Sequence, residues 1–145
     1  MLTKLRLTNF KGFKDAELTL GEFTLLVGTN ASGKSNIRDA FRFLHGISRE
    51  YNLAEIIGEG YGGGGFIRWF GIRGGTRDLV FRGARAFAIE IFFSLKTDQI
   101  QQEASYRIEI DPGIESGETD AVESPRILTE RLKISGQKDN IFEAV

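Results

Sequence analysis

The chain has 145 residues, enough for one domain with a sizeable core. Hydrophobic residues make up 41% and charged residues 27%, and the net charge of −1 gives no overall case for nucleic-acid binding. The absence of cysteine excludes disulfides, cysteine-ligated zinc and a thiol nucleophile. No apolar run approaches the roughly 20 residues that span a bilayer, and the start is unlike a signal peptide, so we expect a cytoplasmic protein with no membrane partner.

Alternating apolar and polar residues predict two strands near the start of the chain, at 2–8 and 16–20, with a turn at 9–13 between them. The apolar run Phe23-Thr24-Leu25-Leu26-Val27 predicts a third strand. Its short connection to the second strand favours antiparallel pairing of these two strands. The third strand is therefore expected in a mixed sheet and not in a purely parallel one.

The stretch Gly28-Thr29-Asn30-Ala31-Ser32-Gly33-Lys34-Ser35 fits G-x-x-x-x-G-K-[ST], the pattern of a phosphate-binding P-loop. Its glycines let the backbone turn closely around an anion, and the helix that opens at Gly33 adds free N–H groups. In this pattern Lys34 reaches the β- and γ-phosphates and is the catalytic candidate. The Ser35 hydroxyl is the candidate ligand of Mg²⁺. The alternative is a glycine-rich turn that only caps a helix.

Apolar residues at helical spacing predict a helix at 34–47 after this loop. They are Ile37, Ala40, Phe41, Leu44 and Ile47. Arg38, Asp39 and Arg42 are predicted to lie on the outer side of this helix. A second helical piece is expected at 49–57.

The middle of the chain is rich in glycine and arginine. Six glycines in the eight residues 58–65 predict a mobile surface loop; a second phosphate loop is the weaker alternative because no Lys-Ser pair follows. Dense apolar residues at 66–72 predict a helical turn in which Trp69 packs in the core or stacks on a base. Residues 66–88 carry five arginines and one acid. One interpretation is that these arginines contact nucleic acid, phosphate or an acidic partner. The other is that they lie on a solvated face and pair with local acids.

The rest of the chain has the pattern of an antiparallel β meander. Strands are predicted at 84–95, 104–110 and 127–134, because β-branched and aromatic residues are frequent in these segments. The segment 111–125, which contains both prolines and several acids, is predicted to be a solvated loop.

Three features together carry a family resemblance: the first strand with Asn9-Phe10-Lys11-Gly12-Phe13, the second strand, and the P-loop continued by Asn36. They resemble the N-terminal ATP-binding lobe of ABC-type ATPases related to SMC proteins, RecF and the overcoming-lysogenization-defect (OLD) family. Val80–Ala84, leading into a strand, resembles the AAA-labelled ATPases of this group. The resemblance implies an α/β P-loop NTPase fold with a mixed sheet, a P-loop helix and an antiparallel β subdomain.

By this resemblance the chain is a single partial domain, with a P-loop half at 1–57, a glycine-rich connector at 58–83 and the β subdomain at 84–145. The implied ligands are ATP and Mg²⁺. The implied ligand-binding residues in the loop and helix are Gly28, Asn30, Ala31, Ser32, Gly33, Lys34, Ser35 and Asn36. Asn30 would help arrange the phosphates or the attacking water, and Lys11 and Gly12, with Phe13, would lie near the base and ribose. Core packing is an equal alternative for Phe10 and Phe13.

Two further motifs of such ATPases are not found in the sequence. Ile108-Glu109-Ile110-Asp111 alternates, whereas a Walker B strand is a continuous apolar run ending in acids. Ile134-Ser135-Gly136-Gln137 lacks the second glycine of the signature motif and follows a strand. The resemblance therefore implies the half of an ATPase that holds the phosphates, inactive in hydrolysis by itself.

In the intact protein, ATP would join two heads in a homodimer, and the missing C-terminal half and DNA would be further partners. The work would be DNA repair, chromosome handling or defence. A nucleotide-dependent interaction module without turnover is the alternative. A small-molecule kinase is a third, disfavoured because no arginine-rich lid follows the core strands.

Overall fold

The computed structural model describes residues 1–58, 60–61, 67–96, 100–113, 124–136 and 141–145. This part of the chain contains helices α1 (Lys34–Ser48) and α2 (Leu53–Ile57) and a short 3₁₀ turn (Thr76–Asp78). The strands are β1 (Leu2–Phe10), β2 (Phe13–Thr19), β3 (Gly60–Tyr61), β4 (Ile67–Trp69), β5 (Phe87–Lys96), β6 (Gln101–Asp111), β7 (Arg126–Ile134) and β8 (Phe142–Ala144). Within these ranges, neither helix has the length and apolar character needed to cross a membrane.

Six of the described strands form one sheet in the order β2-β1-β5-β6-β7-β8, in which every neighbouring pair is antiparallel. The predicted meander of β5, β6 and β7 is confirmed, and β8 adds a strand that the sequence pattern does not predict. The expected mixed sheet is wrong for the described strands. The reason is that the prediction of a mixed sheet depends on a third strand at 23–27, and this strand does not form.

The apolar segment 23–27 lies outside the sheet, contrary to the prediction from its composition. Phe23, Leu25 and Val27 are 83%, 69% and 80% exposed. The β1–β2 ladder closes beside Leu20, and no described strand pairs with the segment that follows. Because strand propensity depends on packing against neighbouring strands, an apolar run without such a neighbour stays unpaired.

The two faces of the sheet differ in chemistry. Leu5, Leu7, Ile89 and Ile108 are at most 2% exposed and lie beside one another across β1, β5 and β6. On the opposite face, charged residues pair between strands: Lys4 with Glu17, Arg6 with Asp15, and Arg131 with Glu143. A sheet with one buried and one solvated face is usual for antiparallel pairing. The core therefore lies on a single side of the sheet.

Helix α1 covers this core, and three of its uncharged residues, Ala40, Phe43 and Gly46, are buried. Phe87 of β5 lies between the ring of Phe43, at a centroid distance of 5.5 Å, and the ring of Phe10 in β1, at 5.3 Å. This aromatic group joins the helix to two neighbouring strands of the sheet, β1 and β5. The predicted helix is therefore confirmed, and it begins at the predicted residue.

The buried side of α1 matches the predicted one in part. Ala40 is fully buried, and the other predicted residues are partly buried against the core: Ile37, Phe41, Leu44 and Ile47. Asp39 was expected on the outer side but is fully buried. A carboxylate tolerates burial here because two cationic groups contact it.

A strand, β4, lies where the sequence pattern predicts a helical turn, and it pairs with β3. The ring of Trp69 packs edge-on against His45 and Tyr51, at centroid distances of 5.8 and 5.3 Å, and its Nε1 donates to the Ile56 carbonyl. Trp69 therefore packs against side chains, as predicted, but it is only partly buried and lies outside the main core. Most of the glycine-rich segment, Phe66 and most of the acidic loop lie outside the described residues.

Gly46 lets α2 approach α1 closely, because a Cβ at this position would lie 2.6 Å from Cγ1 of the fully buried Ile56. We expect Gly46→Ala to lower the free energy of unfolding by about 1 kcal/mol, the middle of the difference between two opposing terms. Overpacking costs about 1–3 kcal/mol, whereas the helix preference of alanine returns only about 1 kcal/mol. Urea denaturation followed by circular dichroism measures the difference.

Gly21→Ala is the control for this variant, since a Cβ there meets no atom closer than 3.5 Å. A Gly46→Ala protein as stable as the wild type would contradict the close approach of the two helices.

Candidate functional site

The predicted P-loop leads directly into α1, which begins at Lys34. Gly33, at the N-cap, has a φ of 91°, a left-handed conformation that glycine adopts without steric cost. No side chain caps the helix, so its first N–H groups can donate to an anion. The helix predicted after the loop is confirmed, whereas the strand predicted before it is not.

The turn of the β1–β2 hairpin lies beside the start of α1. A Cβ on Gly33 would lie 2.6 Å from Cζ of Phe13, and a Cβ on Gly12 would lie 3.1 Å from Nδ2 of Asn36. Phe13 is partly buried and Phe10 is fully buried in the core. Glycine is therefore needed at position 33 for close contact as well as for its backbone conformation.

The ammonium group of Lys34 is held by the loop itself. Its Nζ donates to the carbonyl oxygens of Gly28 and Thr29, at 2.6 Å for Thr29, and to the Ser32 hydroxyl at 3.1 Å. None of these acceptors is charged, so they leave the positive charge of Lys34 unneutralised. Ser35, in the first helical turn, is exposed.

These groups fit a phosphate with Mg²⁺. The uncapped helix start and Lys34 provide donors and positive charge, and Ser35 provides a hydroxyl ligand. No cluster of three or more acids or histidines that could hold a metal occurs among the residues the structure describes. Mg²⁺ is commonly bound through one or two protein groups together with substrate phosphates, so a single hydroxyl is compatible with it.

A buried ion cluster adjoins the loop. Lys11 Nζ lies 2.9 Å from Asp39 Oδ2, and an Arg73 guanidinium nitrogen lies 3.0 Å from the same oxygen. The side chain of Lys11 is only 8% exposed, and it also donates to the Arg73 carbonyl at 2.7 Å. We call these three residues the Asp39 cluster. The ammonium of Lys11 is thus engaged with protein groups, and its predicted place near the base and ribose stays a prediction.

Asp39 is ionised in this setting. Burial would raise its pKa, but hydrogen bonds from Arg73 and Lys11 and the charges of both groups outweigh burial and hold the pKa below the ordinary 3.8. Both cations contact Oδ2, whereas Oδ1 has no partner among the described residues. The sequence does contain a signal for this buried position, because Asp39, Phe43 and Gly46 recur at helical spacing. The charge of Asp39 hides that signal.

Two arginines of the basic stretch pair with acids, but these acids lie 34 and 26 residues away in the chain and are not the local acids of the prediction. Arg73 contacts Asp39, and Arg85 Nε lies 3.4 Å from Asp111 Oδ2. Asp111 also accepts from Arg126 at 2.9 Å and from the Gly113 N–H at 3.1 Å. Burial would raise the pKa of Asp111, but these donors hold it below its ordinary value. Its carboxylate is engaged in structure, which fits its rejection as a Walker B acid.

Residues 1–140 match the family described as the AAA ATPase domain. Because the match covers almost the whole chain, the chain belongs to this family and is an ATPase-type domain of the nucleotide-binding class.

Two curated relatives make the class more specific. The chain is 52% identical over 46 residues to the chromosome partition protein Smc of Methanocaldococcus jannaschii, a match covering 31% of the chain and 4% of the relative. It is 34% identical over 65 residues to structural maintenance of chromosomes protein 1 of Schizosaccharomyces pombe, covering 41% of the chain and 5% of the relative. The resemblance to SMC-type P-loop ATPases is confirmed.

Proposed function

We propose that the chain binds ATP with Mg²⁺ through residues 28–35, as the Walker A half of an ATPase similar to SMC, RecF and OLD proteins. The observation that carries this proposal is the left-handed turn at Gly33, which presents Lys34 and Ser35 at the uncapped start of α1. The N–H groups of the helix start and its dipole favour an anion at this position. Lys34 adds a full positive charge within the same turn.

Each residue of the loop has a role in this proposal. Backbone N–H groups of Asn30–Gly33 would surround the phosphates, and Asn36 would flank them. Lys34 would exchange its bonds to loop carbonyls for bonds to β- and γ-phosphate oxygens. The Ser35 hydroxyl would hold Mg²⁺, which neutralises charge on the phosphate oxygens when bound.

We further propose that the intact protein joins two such heads through ATP, releases them by hydrolysis and acts on DNA. The chain spans only 4% and 5% of two curated relatives, whose names refer to chromosome partition and chromosome structure. A C-terminal half is the proposed source of a strand beside the segment 23–27. The exposure of Phe23, Leu25 and Val27 supports this, because a contiguous run of exposed apolar side chains often marks a surface that another element covers.

Isothermal titration calorimetry with ATP and Mg²⁺ tests the proposal. We expect binding by the wild type and at least about tenfold weaker binding by Lys34→Ala, since a charged hydrogen bond contributes about 1.5–3 kcal/mol. Lys14→Ala is the matched control, because Lys14 is an exposed lysine on β2 outside the loop. Equal affinities of wild type and Lys34→Ala, or no binding by either protein, would sink the proposal.

A nucleotide-dependent interaction module without turnover is the second candidate. The engagement of Asp111 by Arg85, Arg126 and Gly113 favours it, because this carboxylate is not available to activate water. Phosphate release by the intact protein, measured at high protein concentration, separates the two candidates, because the first expects hydrolysis only there and the second expects none. Steady release by the wild type that Lys34→Ala abolishes would remove the second one.

A further inference from the structure

Three successive residues of the hairpin turn contact the start of α1 at intervals of three residues. Lys11 bonds to Asp39, Gly12 lies against Asn36, and Phe13 packs on Gly33. The turn therefore runs along one side of the first helical turns, in the direction opposite to the helix. These contacts set where the loop enters the helix.

The Asp39 cluster is the polar end of the contact between the hairpin turn and α1. Asp39 lies four residues after Ser35, so it occupies the same side of α1 one turn further along. Lys11 Nζ joins this carboxylate to the Arg73 carbonyl, and Arg73 contacts the carboxylate from the segment after β4. Hairpin, helix and that segment are thus held together at the buried carboxylate of Asp39, which Arg73 reaches with a half-exposed side chain.

We propose that Lys11 and Asp39 are positioning residues: their bond holds the first turn of α1 and its phosphate-binding loop against the hairpin. This inference rests on the proposed function of the loop. The side chains of Lys11 and Asp39 are 8% and 0% exposed, so they act through the helix and not by contact with the nucleotide. The role differs from the one that the family resemblance implies for Lys11.

The pair suits a positioning role because each partner needs the other. A carboxylate buried without a cation, or an ammonium buried without an acid, is unfavourable enough to move the backbone that carries it. The two groups reside on different elements, so such a movement would change the distance between the hairpin and the helix start. Phosphate donors in the first helical turn would then no longer converge.

The test compares Lys11→Met, Asp39→Asn and the double variant by calorimetry with two probes, ATP–Mg²⁺ and inorganic tripolyphosphate–Mg²⁺. We expect each single variant to bind both probes about tenfold more weakly, by the same factor for each probe. The double variant should also be about tenfold weaker and not a hundredfold weaker, because all three variants lose one shared contact. If Lys11→Met does not fold, the double variant is tested in its place, because it leaves neither an unpaired lysine nor an unpaired carboxylate at this bond.

Hydrogen exchange of the protein without ligand provides a second readout, in which Lys11→Met should speed exchange of the hydrogen-bonded amides of residues 36–40. Lys14→Met is the control, since it removes an exposed lysine of the same hairpin and should change neither exchange nor affinity.

A greater loss with ATP than with tripolyphosphate would overturn the inference, because it would indicate contact between Lys11 and the nucleoside. Unchanged affinity or unchanged exchange in a folded Lys11→Met protein would overturn it as well. If the wild type binds neither probe, the proposed function is overturned. The inference that Lys11 and Asp39 position a phosphate-binding loop then falls as well.

Discussion

Replacing Phe87 with alanine should lower the free energy of unfolding by about 3–5 kcal/mol. The ring is 1% exposed and lies between Phe10 of β1 and Phe43 of α1. Its removal would leave a cavity between the sheet and the helix. Because the two rings that line it belong to different elements, β1 and α1, they cannot both close the cavity at once. Urea denaturation monitored by fluorescence and circular dichroism measures the loss.

Phe23→Ala is the matched control for Phe87→Ala. Phe23 is 83% exposed, so the same chemical change should alter the free energy of unfolding by less than about 0.5 kcal/mol. Similar losses for the two variants would mean that the core does not lie between α1 and the sheet.

Asp39→Ala should also lower the free energy of unfolding, by about 3–5 kcal/mol at pH 7, since it breaks a buried ion pair on one side. The change leaves the ammonium of Lys11, whose side chain is 8% exposed, without its carboxylate. Asp15→Ala is the control, because the Asp15 side chain is 59% exposed and pairs with Arg6 at the surface. Such a surface pair contributes at most about 1 kcal/mol.

The same carboxylate makes stability depend on pH. The pKa of Asp39 is lower in the folded protein than its ordinary value of 3.8. Its contribution is therefore complete above the unfolded value and is lost as the pH falls through the folded pKa. Between pH 5 and the acid limit of folding, the wild type should lose stability more steeply than Asp39→Asn. Asp111, whose pKa is also lowered, is common to both proteins. Parallel curves would contradict the ionised, buried state of Asp39.

Local sequence patterns correctly predict those helices and strands whose characteristic residue spacing is contained in one short stretch of sequence. Alternation predicts β1 and β2, helical spacing predicts α1, and strand-like composition predicts β5–β7. The strand predicted at 23–27 is wrong because a strand also needs a neighbouring strand to pair with. A short stretch of sequence does not show whether such a neighbour exists. β4 fails for a related reason: its pairing with β3 overrides the helical appearance of an apolar cluster.

The candidate site is predictable to the same extent. The glycine pattern locates the turn at Gly33 and the helix at Lys34, since both depend on local backbone chemistry. The Asp39 cluster is not predictable, because its members are brought together by tertiary packing from positions 11, 39 and 73. A charged residue on a helix is usually assigned to solvent, and only the partners show why Asp39 is not.

The pairing of β1 with β5 has a consequence for how the protein forms. The two strands are neighbours in the sheet but far apart in the chain. The amino group of Met1 donates to the carbonyl oxygen of Ser94, 93 residues away. Pairing across such a distance slows folding. During synthesis the hairpin and α1 emerge before β5, so Phe87 reaches Phe10 and Phe43 late. We therefore expect a nascent chain to acquire an ordered phosphate-binding loop only after β5 has left the ribosome.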